Sequence, residues 1–378
     1  MAQPVYLDYN ATTPLDPAVT KAIEPCLGPL FGNPSSPHTY GIEAKRAVEH
    51  ARAQVAAMLA CRTPDLYFTS GGTEANNLAI FGVAEALQER GRHIITSAVE
   101  HPAVMEPCRW LAQHGYHITV LPVDEHGLVD PEAVASALRD DTILVTVMHA
   151  NNEVGTIQPI ADLARLAHDA GALVHTDAAQ TVGKVPLTVD ELGVDLLSVA
   201  GHKLYAPKGV GALYVREGTP LLPFTRGASH ERGLRPGTEN LIGIIGLGAA
   251  AALVAGNLKA HASHMATMRD RLQQRLLALG ADLCIHGHPT HHLPNTLSVG
   301  FRDLDATDLL VELVDDIAAS AGAACHSNEV SVSDTLKAMQ VPLAYARGTL
   351  RFSVGRFTTA DEIDRAVTAI AKALDELR

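Results

Sequence analysis

The sequence predicts an α/β protein with a large domain on a mostly parallel sheet, followed by a smaller α+β domain. Three observations carry that prediction. Apolar runs alternate with segments of helical spacing from residue 66 to residue 215, the order that puts parallel strands in the middle and crossover helices on both faces. Two of the runs, residues 172–180 and 194–205, deliver ionisable side chains where a strand gives way to a loop, as open α/β sheets do at the carboxyl ends of their strands. At 378 residues the chain also exceeds what one typical core accommodates.

Taken in order, residues 5–8 read as a short strand leading into the turn-rich arm Asn10-Ala11-Thr12-Thr13-Pro14, which crosses to another domain or subunit. Residues 32–38 form a loop, because their prolines suit neither helix nor strand. Helical spacing runs over residues 43–59. Residues 66–70 read as a strand, and Gly71-Gly72-Thr73-Glu74 opens a helix to about Leu87. Such a start is either a phosphate cup, with glycine backbone and unpaired helix N–H groups facing an anion, or a plain turn with Thr73 as N-cap. Strands at 93–97, 117–121 and 143–147 alternate with helices from Pro102, over 131–139 and over 160–170. The two apolar runs follow, and residues 211–215 add one more strand.

Residues 241–256 read as a buried helix rich in Gly and Ala, shorter than the roughly 20 residues that span a bilayer. An amphipathic helix over 261–279 comes next. The domain boundary is therefore expected near 256, with 15–256 as the large domain and 1–14 plus 257–378 as the small one. In the latter, strands at 296–300 and 349–354 mix with helices at 307–315 and 360–377.

Composition narrows the class. With 47% hydrophobic and 19% charged residues the chain can bury a sizeable interior. A net charge of −13 lacks the basic footprint that nucleic acid or anionic membrane requires, so direct binding to either is not expected. The opening residues carry Asp8 and polar neighbours rather than a basic-then-apolar leader, and the reading expects a cytoplasmic protein. Five scattered cysteines without a C-x-x-C pair suit a reducing compartment and speak against disulfides or a zinc site. The histidines at 286, 288, 291 and 292 fall in a Gly/Pro-rich stretch and read as a solvated loop, so no metal is expected.

Two residues suggest the chemistry. Lys203 ends an apolar strand in Gly201-His202-Lys203, where burial favours the neutral, nucleophilic amine able to condense with a carbonyl. Asp177 ends the preceding run. Pyridoxal phosphate needs such a lysine, and an acid paired with its pyridine nitrogen so that the ring can accept electrons. No other lysine lies beside these motifs in the sequence.

Nine motifs occur in one order over nearly the whole chain: residues 8–14, 32–34, 69–74, Glu100-His101, 151–153, 175–180, 201–203, 235–238 and 351–353. Together they resemble the cysteine desulfurases and selenocysteine lyases, class V members of the aminotransferase fold. The resemblance implies a pyridoxal 5'-phosphate-dependent transferase of fold type I that converts L-cysteine to L-alanine and passes sulfur to an acceptor protein. The acceptor pathway is open among iron–sulfur assembly, tRNA thiolation and DNA modification.

It implies that His101 stacks on the cofactor ring, that Asn152 and Gln180 bond the ring oxygen, and that Gly72, Thr73 and His202 hold the phosphate. Thr238 would reach in from the neighbouring subunit of a homodimer. Arg351, helped by Asn33, would clamp the substrate carboxylate, and His202 or His101 would shuttle protons. Cys325, in a run of small residues, matches the family's nucleophile and would carry a persulfide.

Two departures bear on the outcome. Ala200 stands where desulfurases usually carry a serine that donates to the phosphate. Ala-Ala-Cys-His-Ser at 323–327 is closer to the selenocysteine lyases, so release of selenium from L-selenocysteine is an alternative. A non-enzymatic dimeric scaffold of the same fold is a third reading, one that would not need both Lys203 and Cys325.

Overall fold

The computed structural model describes residues 3–321 and 332–377. Their largest element is a seven-stranded sheet in the order Leu66–Thr69, Gly211–Val215, Leu196–Ala200, Leu173–Asp177, Thr142–Thr146, His93–Ser97, His117–Leu121. The last five strands are mutually parallel and the first two run against their neighbours. Helices cover both faces, so interior strands are buried along their whole length and read as continuous apolar runs. The edge strand His117–Leu121 is open to solvent, which is why it alternates.

A second sheet, antiparallel throughout, orders Ser320–Ala321, Thr349–Ser353, Thr296–Phe301 and Leu283–His286. Val5–Tyr6 pairs in parallel with Ile317–Ala318, and Asp8 bridges Ser353. Residues 5–8 thus belong to the second body, where Val5 and Leu7 join Leu297, Phe352 and Ile370 in a common core. Helix Ala360–Glu376 closes that core; Thr359 and Glu362 form a reciprocal cap at its start, and Ile363, Val367, Ile370 and Leu374 line its buried side.

One expectation fails outright. The two helices placed at 241–256 and 261–279 are a single 37-residue helix, Leu241–Leu277, so no break in the helix stands at residue 256. Its first half packs in the large core through Ile244, Leu247, Ala250 and Val254, and its second half in the other core through Met265, Met268 and Leu272. By length and composition the joined helix could cross a membrane, and its buried residues are divided between the two cores of this chain. Close approach explains its glycines: a Cβ on Gly248 would lie 2.6 Å from Ala51 Cα on helix Thr39–Leu59, and one on Gly246 would lie 2.5 Å from Pro207 Cδ. His286 also departs from the solvated-loop reading, being buried in a strand with its ring bonded to Thr349 Oγ1 at 3.1 Å. Helices 131–139 and 307–315 are shorter than expected, at Pro131–Ala137 and Ala306–Glu312.

Candidate active site

The parallel strands end on one side of the sheet, and a cavity of about 400 Å³ opens there. Strand Leu173–Asp177 contributes Asp177 at its last position, while strand Leu196–Ala200 runs into a single 3-10 turn, Gly201–Lys203, that turns Lys203 inward. Helix Gly72–Ala86 points its start at the cavity, His101 enters from the loop after His93–Ser97, and Arg351 reaches across from the second sheet. Asn152, Gln180, Ala200 and His202 complete the wall.

The helix start is not the plain turn with Thr73 as N-cap. Its N-cap is Gly71, at φ 153°, a conformation side chains rarely adopt, and no side chain caps it. Thr73 therefore lies inside the first turn and is not the N-cap. The first-turn N–H groups have no helical acceptor and face the cavity with the positive end of the helix dipole. Glu74 accepts from Ser70 N at 2.7 Å and from Arg235 Nε at 2.8 Å, which ties the 235–238 motif to this turn.

Asp177 accepts from Asn76 Nδ2 at 2.7 Å and from Ala179 N at 2.9 Å. Both donors are neutral, and no cationic side chain is in salt-bridge range of Asp177 among the described residues. Asn76 Oδ1 is buried without a partner at the same wall, a polar atom that a bound molecule or water would satisfy. His101 Nδ1 accepts from Ala103 N at 3.0 Å, capping helix Pro102–Gln113. The neutral ring then carries its proton on Nε2. Surrounding protein lowers the His101 pKa although its ring is open to the cavity; Asp177 opposes that shift and Lys203 adds to it. His202 binds Thr12 Oγ1 through Nδ1 at 3.2 Å, and burial beside Lys203 pushes its pKa down to about 4.

Lys203 Nζ donates to the carbonyls of Asn10 and Ala11 and has no carboxylate in salt-bridge range among the described residues. Burial and Arg351 lower its pKa to about 8 against the pull of Asp177 and Asp8. On the order of a fifth of the amine is thus neutral near pH 7.4, far more than for an ordinary lysine. The rate at which the apo protein captures pyridoxal phosphate, followed by stopped-flow absorbance, is expected to rise through about pH 8 and then level off. A rate still climbing toward roughly pH 10, the range of an ordinary lysine, would contradict the assignment.

The arm residue Asn10 is a hub that the sequence reading passed over. Its Nδ2 donates to Asn152 O and Thr296 Oγ1, its Oδ1 accepts from Lys184 and Asn295, and its carbonyl accepts from Gln180 and Lys203. Lys184 corrects a second expectation, that no other lysine stands near the motifs. It is 4% exposed and donates to Asn10 Oδ1 at 3.0 Å and Gln180 Oε1 at 2.7 Å. Burial, with Lys203 and Arg351, holds its pKa well below the usual lysine value. Its position four residues after Gln180, on the same turn, was the available signal.

Three expected participants are not brought together here. Asn33 is exposed and accepts from Ser35 N at 2.9 Å, away from Arg351. Arg351 is instead held by Asp8, Ser320 and the Asn152 carbonyl. Thr238 lies in a separate recess with Ser70 and Glu239, outside the cavity of its own chain. Cys325 falls outside the described residues. Among those residues no group of His, Cys, Asp or Glu is arranged to hold a metal.

The Aminotransferase class-V family model matches residues 5–366. The chain is 45% identical over 379 aligned residues to the cysteine desulfurase IscS of Dictyoglomus turgidum, covering 100% of this chain and 96% of that one. A solved NifS-like protein superposes with a TM-score of 0.93 at 38% identity over 99% of this chain and 100% of its own. The structure of SspA in complex with cysteine gives 0.82 at 32% identity over 95% of this chain and 100% of its own. These matches run the length of the motifs that line the cavity, and the chain belongs to the aminotransferase class-V family, among its cysteine desulfurases.

Proposed function

We propose that this protein is a pyridoxal phosphate-dependent cysteine desulfurase, converting L-cysteine to L-alanine and passing the sulfur from Cys325 to an acceptor protein. The observation that carries the reading is the convergence of Lys203, Asp177 and Arg351 on one cavity at the strand ends. When bound, pyridoxal phosphate supplies an electron sink for bonds broken at the amino acid's α-carbon.

The chain's residues do the rest. Asp177 supplies the negative charge for the ring nitrogen, and the Gly72–Thr73 turn with His202 receives the phosphate. Gln180, its amide oriented by Lys184, and Asn152 would hold the ring oxygen, and His101 would stack on the ring. With Nδ1 taken by Ala103 N, His101 turns Nε2–H to the cavity as a hydrogen-bond donor. Arg351 binds the substrate carboxylate, and the thiolate of Cys325 takes the substrate's sulfur as a persulfide while the carbon skeleton leaves as alanine.

A second copy is part of this reading. Thr238 stands outside its own cavity, and exposed Leu27, Phe31 and Tyr40 leave apolar surface for another subunit to cover. A reducing, cytoplasmic setting is also part of this reading.

Asp177→Asn tests the assignment. The amide keeps the shape and loses the charge, so kcat for alanine formation is expected to fall on the order of 10²–10³-fold with KM little changed. Unchanged kcat with a raised KM would reduce Asp177 to a binding contact.

A further inference from the structure

The cavity's substrate-side cation already has a carboxylate. Arg351, 8% exposed, donates through Nη2 to Asp8 Oδ1 at 2.7 Å and to Ser320 Oγ at 3.0 Å, and through Nη1 to Asn152 O at 3.1 Å. Its Nε is buried without a partner. Ser320 in turn donates to Asp8 Oδ1 at 2.9 Å. Asp8 is fixed by its bridge to Ser353, and Tyr6 Oη donates to its carbonyl. These contacts fix the Asp8 backbone, and Ser320 and Arg351 hold its carboxylate.

A buried guanidinium left unpaired is costly, and Asp8 removes that cost in the empty site. The same charge repels an arriving carboxylate, which must bond a guanidinium that Asp8 keeps half-neutralised. We propose that Asp8 is a specificity-determining residue: an internal carboxylate that positions Arg351 and competes with the amino-acid carboxylate for it, holding down affinity for both substrate and product. The proposal rests on the reading of Arg351 as the carboxylate clamp. Its consequence is weak retention of L-alanine, so that the product leaves a site whose cation is re-paired within the chain.

The test is calorimetric titration of the cofactor-loaded protein with L-alanine and, separately, with L-alaninamide, which lacks the carboxylate. Asp8→Asn keeps the acceptor oxygen and removes the charge. It is expected to tighten L-alanine binding roughly tenfold while leaving L-alaninamide within roughly twofold of wild type. Asp8→Ser, shorter and uncharged, is expected to tighten L-alanine in the same direction. Asp8→Glu, which retains the charge, is expected to restore weak binding.

Unchanged or weaker L-alanine binding in both uncharged variants, with Arg351→Leu still losing L-alanine, overturns the role of Asp8 and leaves the clamp standing. Equal L-alanine binding by wild type and Arg351→Leu overturns the clamp, and the Asp8 proposal with it.

Discussion

Lys203→Ala is expected to abolish turnover and the visible absorbance of bound cofactor together, with kcat reduced by about 10⁴-fold or more. Lys203 is the amine that both faces the cavity and has its pKa lowered to about 8. Its only hydrogen-bond partners among the described residues are the carbonyls of Asn10 and Ala11, which release it more readily than a carboxylate would. Lys184 is the internal control. It is also buried and depressed in pKa, but both its hydrogen bonds go to the amides of Asn10 and Gln180, and it does not line the cavity. Borohydride reduction followed by peptide mass spectrometry checks the point, with cofactor attached at Lys203 in the wild type and nowhere in the variant. Attachment at Lys184 in the wild type would reassign the site.

Cys325→Ala is the second change of large expected effect, with alanine formation from L-cysteine lost and some release from L-selenocysteine retained. Sulfur is a poor leaving group and needs a thiolate to take it, whereas selenium is released more easily. The other cysteines are badly placed to substitute. Burial pushes the thiols of Cys61 and Cys108 up to about 12 and raises those of Cys26 and Cys284 as well, so at neutral pH they stay protonated. Mass spectrometry of the wild type after turnover is expected to find the persulfide on Cys325. A persulfide on Cys61 or Cys284, or a Cys325→Ala protein fully active on cysteine, would end the nucleophile assignment. Parallel kinetics on the two substrates read the same variant against the selenocysteine lyase alternative.

Period and punctuation in the sequence determined most of the scaffold. Buried parallel strands announce themselves as continuous apolar runs, and their crossover helices by helical spacing, because each pattern follows from how one element meets the core. Asp177 and Lys203 were legible for the same reason: each is a polar residue at the end of such a run, where a parallel sheet opens its binding crevice. The joined helix Leu241–Leu277 was not legible as one element. Its two halves face different cores and so change pattern midway, which mimics a break where the backbone has none.

Tertiary structure alone decided the partners. Asn10 meets Gln180, Lys184 and Lys203 from 170 or more residues away, and Asp8 meets Arg351 across 343. No local periodicity encodes such pairings, since they depend on where the amino-terminal arm lies once the second body has packed against the first. The sequence by itself determined which residues could do the chemistry. The packing of that arm decided which of them are held and by what, Arg351 by Asp8 among them, because burial and hydrogen-bond satisfaction are properties of the assembled interior and not of any stretch of chain.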